Sequence, residues 1–323
     1  MFLQASRDTR RTALKAVYDA SVRADAEALA REYHAATQRL LPAGVFTVLS
    51  FGVAIAVLVT FSWPDRWWTD GAALTRIAVA LAVVTGAWVI SSRVAAAPAK
   101  NFEAVESRAH KDVVPRLVRT LRTGAKYKPG DAIDGEWVRR SALVSGVREY
   151  SSRHLVRWKI GDLRRQLGQV ITLGTDRPSG DFEPNSLPFR GLVAIADRPN
   201  PIPGHVVVRS RQGATGQGPP IVGLPPCSAE ALDALGPWRV REEYAVFASS
   251  PEALRAALTP DACALLNMLH PDSCLHVAFA QREVFVLLEQ HTGWFERLPP
   301  RLDEGHFLEL AEFMDAVDAL AHR

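Results

Sequence analysis

The chain has 323 residues, 48% of them hydrophobic and 23% charged, with a formal net charge of +3 and three cysteines. That length holds one good-sized soluble domain plus helical flanks. An odd count of widely spaced cysteines (Cys227, Cys263, Cys274) excludes a disulfide framework and agrees with a reducing cytosol.

Residues 8–41 read as an Ala-rich amphipathic helix, with Leu14, Val17, Tyr18, Ser21, Ala28 and Leu29 at helical spacing. The pair Arg10-Arg11 superficially resembles a twin-arginine export signal. In such a signal the apolar region follows at once, and here nearly thirty mostly polar residues intervene.

Ala43 to Trp63 is twenty-one residues without a charge. A helix of that length rises about 30 Å, the thickness of a bilayer core. After a polar link from Pro64 to Gly71, a second apolar run covers 72–92, with Arg76 placed to snorkel outward. Trp63, Trp67 and Trp68 cluster at the link, as amphipathic rings do at a membrane interface. Gly52 and Ala56 in the first run, and Ala78, Ala82 and Gly86 in the second, recur at four-residue spacing, which suits close helix packing. The expectation is a transmembrane helical hairpin. Arg/Lys residues crowd both outer flanks while the link holds only Arg66, so both termini are expected in the cytosol and the link outside.

Residues 93–125 read as a membrane-proximal helix with a stripe of Phe102, Val105, Ala109, Val113, Leu117 and Leu121, bent or restarted at Pro115. Residues 93–165 carry seventeen Lys/Arg against eight Asp/Glu, and residues 230–323 carry seven against sixteen. The basic segment lies next to the apolar hairpin, so anionic lipid headgroups are its expected partner rather than nucleic acid.

From 126 onward short β-like runs alternate with Gly/Pro punctuation: a short helix near 136–144, then strands near 154–160, 168–173, 190–196 and 205–210. Tyr244 to Ser249 reads as a strand. Ser250-Pro251-Glu252 and Thr259-Pro260-Asp261 each carry the cap, proline and acid that open a helix. Cys274–Ala280 and Glu283–Gln290 read as a β-hairpin turning at Gln281-Arg282. Residues 303–321 form a last helix, with Phe307, Leu310, Met314, Val317 and Leu320 inward and acids outward. Strands and helices mix without regular alternation. The expected class is therefore an α+β cytosolic domain (126–323) attached to an N-terminal transmembrane hairpin (43–92), with flanking amphipathic helices at 1–42 and 93–125.

Several stretches resemble a bacterial family, domain of unknown function 3137. Phe189-Arg190-Gly191-Leu192 through Val206-Val207-Val208 is like its Phe-x-Gly-Leu strand pair. Tyr244-Ala245-Val246-Phe247-Ala248, followed by Leu258-Thr259-Pro260, is like its strand and helix start. Phe295-Glu296 is like its Phe-Glu pair. The resemblance covers roughly 90–323 and, less distinctively, the two apolar runs. It implies an architecture and an address at the bacterial inner membrane, and brings no activity or catalytic residues.

Three chemical patterns were weighed. His270, Cys274 and His276 are ligand types for zinc, but a closed site needs four and no Cys-x-x-Cys partner exists. Gly213 to Gly218 is a glycine-rich loop, but Pro219-Pro220 and the lack of Gly-Lys-Ser/Thr deny it a phosphate cradle. Arg139, Arg140, Arg148, Arg153, Arg157, Lys159, Arg164 and Arg165, interleaved with Tyr150 and Trp158, mix basic and aromatic residues as single-strand binders do and as solvated strands near a membrane do. The expectation is no metal, no cofactor and no catalytic residues. The leading reading is a membrane-anchored interaction or scaffold protein with an unidentified protein partner and scope for homo-oligomers. Its acidic last helix and basic membrane-proximal segment are the contact surfaces, toward a partner or toward each other. Two alternatives stand beside it: a ligand sensor or hydrolase with a site on loops 174–188 or 211–220, and an oligomeric channel built from the hairpin.

Overall fold

The computed structural model describes residues 2–62, 72–143, 147–175, 190–211, 223–268, 274–289, 294–295 and 302–322. The chain divides into two compact units: one of residues 1–23, 112–298 and 303–323, the other of 24–111 with 299–302.

The first unit is α+β. Its core is an eight-stranded sheet in the order β1-β2-β3-β4-β8-β7-β5-β6, with every pairing antiparallel. The strands are β1 (Lys126–Lys128), β2 (Val147–Ile160), β3 (Leu163–Thr175), β4 (Arg190–Asp197), β5 (His205–Ser210), β6 (Tyr244–Ala248), β7 (Leu275–Ala280) and β8 (Glu283–Glu289). The order carries an assembly rule. The first four strands form a meander, β5 and β6 form a pair, and the β7–β8 hairpin enters between them, β8 on β4 and β7 on β5. That hairpin is covered on both faces, which explains why its sequence is nearly continuously apolar rather than alternating.

The turn at Gln281-Arg282 lies where the sequence predicts, with Gln281 at a positive φ of 51°. β2 and β3 are longer than expected. The Ser- and Arg-containing first half of β2 and the Arg-rich start of β3 lie outside the expected 154–160 and 168–173, yet the two strands pair over most of their length around a turn at Gly161. A bulge between Arg153 and Val156 puts His154 at φ 61° and aims its ring at Tyr127, whose hydroxyl is 2.7 Å from Nδ1.

Helices α1 (Phe2–Ser21), α4 (Val114–Leu121), α5 (Gly135–Arg140), α6 (Ala229–Asp233), α7 (Pro251–Ala257), α8 (Pro260–Met268) and α9 (Glu304–Ala321) complete this unit. The expected caps are in place. Ser250 Oγ accepts from the Ala253 N–H at 3.1 Å, Thr259 Oγ1 from Ala262 at 3.3 Å, and Asp303 Oδ1 from His306 at 2.9 Å. Pro115 occupies the first turn of α4, directly after a π-helical turn at Ala109–Val113.

One face of the sheet carries Val170, Val193, Ile195, Val207, Phe285 and Leu287, packed with Ile133, Val138 and Leu143 from the segment around α5. Gly168 makes that packing possible, because a Cβ there would lie 3.0 Å from Ile133 Cγ1.

α9 buries Phe307, Leu310, Met314 and Val317. Its acidic side is not left to solvent. α1 lies along it: Leu14 and Tyr18 are buried, Tyr18 meets the Phe307 ring at 5.3 Å, and Lys15 pairs with Glu304 at 2.9 Å and Arg10 with Asp315 at 3.2 Å. Arg122, just past α4, reaches both Asp315 and Asp318. Asp318 also accepts from Trp158 Nε1 at 3.1 Å and lies 3.4 Å from Arg165 Nε, whose side chain is fully buried. Of the two outcomes expected for the acidic helix and the basic segment, contact with each other occurs, extended by α1.

Candidate functional site

The second unit is built on two long helices, α2 (Arg23–Ser62, 40 residues) and α3 (Ala72–Arg108, 37 residues). At about 1.5 Å per residue each is roughly 55–60 Å long, close to twice a bilayer core. Residues 23–41 of the first amphipathic stretch continue into the first apolar run as one helix, and the second apolar run continues through 93–108 as another; the stretch expected as one helix over 8–41 is broken at Val22. Pro42 and Pro98 lie inside these helices.

The polar half of the pair is held by specific contacts. The rings of Tyr33 and Phe102 lie 5.0 Å apart, and Arg108 pairs with Glu32 at 2.8 Å. On α2 the covered positions run Ala26, Leu29, Tyr33, Ala36, Leu40, Ala43, Thr47, Ser50 and Ala54. These steps alternate three and four residues, the period that keeps a seam on one side of a helix lying along a neighbour. The stripe passes without a break from the polar half into the apolar half.

The apolar half is exposed. Within α2, Leu41 is 63% accessible, Val48 72% and Val53 62%, and within α3 Leu81 is 62% and Trp88 60%. Only 11% and 6% of the most apolar eighteen-residue windows are buried, and both helices are long and apolar enough to cross a membrane. Gly52, Ala56, Ala78 and Ala82 are exposed and Gly86 is half-buried. A Cβ at Gly52 or at Gly86 would meet no described atom within 4 Å. The covered small residues of the seam are instead Ala43, Ala54 and, on α3, Ser91. The rows read from the sequence were small residues at a constant four-residue spacing inside the apolar runs, whereas the covered positions of α2 follow alternating three- and four-residue steps that start in the polar half. Trp63, Trp67 and Trp68 lie outside the described residues, as does the side chain of Arg76.

In the first unit, no group of three metal-ligand types is placed to hold a metal ion among the described residues. His270 lies outside them. Cys274 is half-buried and His276 is fully buried, 3.7 Å from Glu289 through Nε2. Neither ring nitrogen of His276 has a hydrogen-bond partner among the described residues. Burial holds the His276 pKa below the ordinary histidine value, Arg209 adds to that, and Glu289 pulls the other way. Most of loops 174–188 and 211–220, with the glycine-rich stretch, lies outside the described residues.

In the basic-aromatic stretch the aromatic residues and Arg165 are turned inward, while Arg139, Arg140, Arg153, Arg157, Lys159 and Arg164 are exposed. Trp158 is buried with its N–H on Asp318, and the Tyr150 hydroxyl donates to the Ile133 carbonyl at 2.8 Å. Burial pushes the Tyr150 pKa up to about 12. Arg139 pairs with Glu136, Arg140 with Glu283, Arg157 with Asp131 and Arg164 with Asp197. This arrangement ties strands and turns together; Trp158 offers no face on which a base could stack.

No family model matches this chain, and no curated protein matches it. Among solved structures, the crystal structure of the mycobacterial trehalose monomycolate transport factor A, TtfA, aligns at 12% identity and a TM-score of 0.34, covering 66% of this chain and 99% of that one.

Proposed function

We propose that this protein is a membrane-anchored, non-enzymatic scaffold of the bacterial inner membrane. The apolar halves of α2 and α3 cross the bilayer, both termini stay in the cytosol, and the α+β unit is presented there to a protein partner. The reading carries with it membership of domain-of-unknown-function family 3137, contact of basic residues in 93–165 with anionic headgroups, and room for self-association.

The observation that supports it is the exposed apolar surface of the helix pair. Monomeric soluble proteins rarely leave contiguous apolar patches beyond a few hundred Å² open to water, and here two helices do so over 41–56 and 79–94. In water that surface would drive aggregation. In lipid that surface is at home, and an α-helix satisfies the backbone polar groups of its interior within itself. The cations Arg39 and Arg93 flank the two apolar runs at their polar ends, as the positive-inside rule requires.

Alkaline carbonate washing of cell membranes tests the anchor. The protein is expected to stay in the pellet and to leave it only with detergent. Recovery in the supernatant would overturn the proposal. A tag after Arg323 is expected to resist protease added to intact spheroplasts, and digestion there would reverse the orientation.

A further inference from the structure

Among its described residues, the α+β unit contains a buried cation with no paired anion. Arg198, directly after β4, is 4% exposed. Its Nε is sealed from solvent without a hydrogen-bond partner, and no acidic side chain among the described residues pairs with it. What it has is the ring of Phe279, 5.4 Å from the guanidinium carbon. A cation–π contact is worth about 0.5–2 kcal/mol, while the effective penalty for burying an ion is several kcal/mol. The surrounding protein leaves most of that charge unbalanced.

The same side chain lines a cavity of about 100 Å³ between α8 and the C-terminal turn of α9. The other walls are mostly apolar, with Leu265 and Met268 from α8, Leu320 from α9, and Ala257. Thr259 stands at the first turn of α8. Its oxygen accepts from the Ala262 N–H, which leaves the hydroxyl proton free to donate. α8 has nine residues, and its N-terminal dipole adds a second positive influence on the same space. The cavity thus has a buried guanidinium, a hydroxyl donor and a helix N-terminus beside a short apolar pocket. Asp261 stands in the wall as well; it is exposed, so its repulsion of an anion is screened by solvent, and it weighs most against a polyanion.

We propose that this cavity binds a small monocarboxylate, its carboxylate paired with Arg198 and its short aliphatic tail held by Leu265, Met268 and Leu320. Size sets the tail. An apolar cavity of roughly 150 Å³ takes benzene, so this smaller one of about 100 Å³ accommodates an acid of about two or three carbons and is too small for a nucleotide, since drug-sized ligands need about 300 Å³ or more. The site is independent of the membrane anchor: its walls belong wholly to the α+β unit, and the fractionation result does not bear on it.

Sodium propanoate is the probe, titrated calorimetrically into the full chain purified in detergent. Saturable one-to-one binding is expected with Kd of about 1 mM, within the ceiling of about 1.5 kcal/mol per heavy atom for a ligand of about five heavy atoms, together with a rise in Tm. Arg198→Met and Leu265→Trp are each expected to weaken binding at least tenfold, the first by removing the charge and the second by filling the pocket. Arg198→Met is expected to melt no lower than the parent without ligand. If that variant does not fold, Leu265→Trp decides alone. Absence of saturable binding at about 10 mM propanoate, undiminished binding in Leu265→Trp, or equal stabilisation by chloride and inorganic phosphate would each overturn the proposal.

Discussion

Asp318 shows how much one side chain carries in this fold. It accepts from Trp158 and Arg122 and is the acid nearest the buried Arg165. Arg165 donates through Nη1 to the carbonyls of Asp197 and Arg164, so its plane is fixed and its charge depends on Asp318. Removing one partner of a buried pair costs about 3–5 kcal/mol because the other charge stays buried. Asp318→Asn is therefore expected to lower stability by roughly 3 kcal/mol, seen as a lower melting temperature of the detergent-solubilised chain. A loss under about 1 kcal/mol would mean that Arg165 is balanced elsewhere. His276 sets a pH dependence at the same scale. Its folded pKa is lowered, so between that value and the unfolded value of about 6.5 the unfolded chain holds more protons. Its contribution is whole above pH 6.5 and is lost as pH falls. The drop in Tm from pH 8 to pH 5.5 is expected to shrink in His276→Leu, with a remainder from His205, which burial also holds low. An unchanged drop would exclude His276 as its source.

At the level of elements, the N-terminal helix is the informative one. Its ion pairs with α9 join side chains that are largely open to water, Arg10 at 52% and Lys15 at 53%. Such pairs contribute about 0–1 kcal/mol and are screened by salt. Leu14 and Tyr18 are 5% and 4% exposed and supply the apolar contact. Tyr18→Ala is expected to cost about 3 kcal/mol and to open α1 to protease, while Arg10→Ala stays within about 0.5 kcal/mol. Equal losses from the two would show that charge rather than burial docks the helix. The amphipathic pattern made this helix legible in the sequence; its docking site was not. Asp315 and Asp318 lie opposite the apolar stripe and read as a contact surface whose partner the sequence left open, and the positions of α1 and of Arg122 after α4 supply that partner. β2 and β3 were half legible for a related reason. Ser151, Ser152 and Arg153 lack strand propensity, and pairing with Ile171, Val170 and Gln169 overrides it.

Across the α+β unit, the sheet order assigns the late β7–β8 hairpin a joining role. Phe285 is fully buried at its centre, opposite Ile195 of β4 and Ala278 of β7. Phe285→Ala is expected to cost about 3–5 kcal/mol and to reduce hydrogen-exchange protection in β3–β4 and in β5–β6 alike. Loss confined to one side would show that the two strand groups are stable apart. The helix unit makes the complementary point about exposure. Its apolar residues are covered along one seam and bare elsewhere, so its stability is tied to the medium around it.

By itself the sequence determined what depends on neighbours along the chain. Charge-free length, capping residues before proline, and the turn at Gln281-Arg282 are local properties, set by backbone sterics and the transfer of side chains out of water. Tertiary structure alone decided what depends on distant partners: which acids face Arg10 and Arg122, which hairpin joins the sheet, and that Arg198 is enclosed without a paired acid among the described residues. Pairing and burial are relations between segments up to some 300 residues apart, and no periodicity within either segment records them.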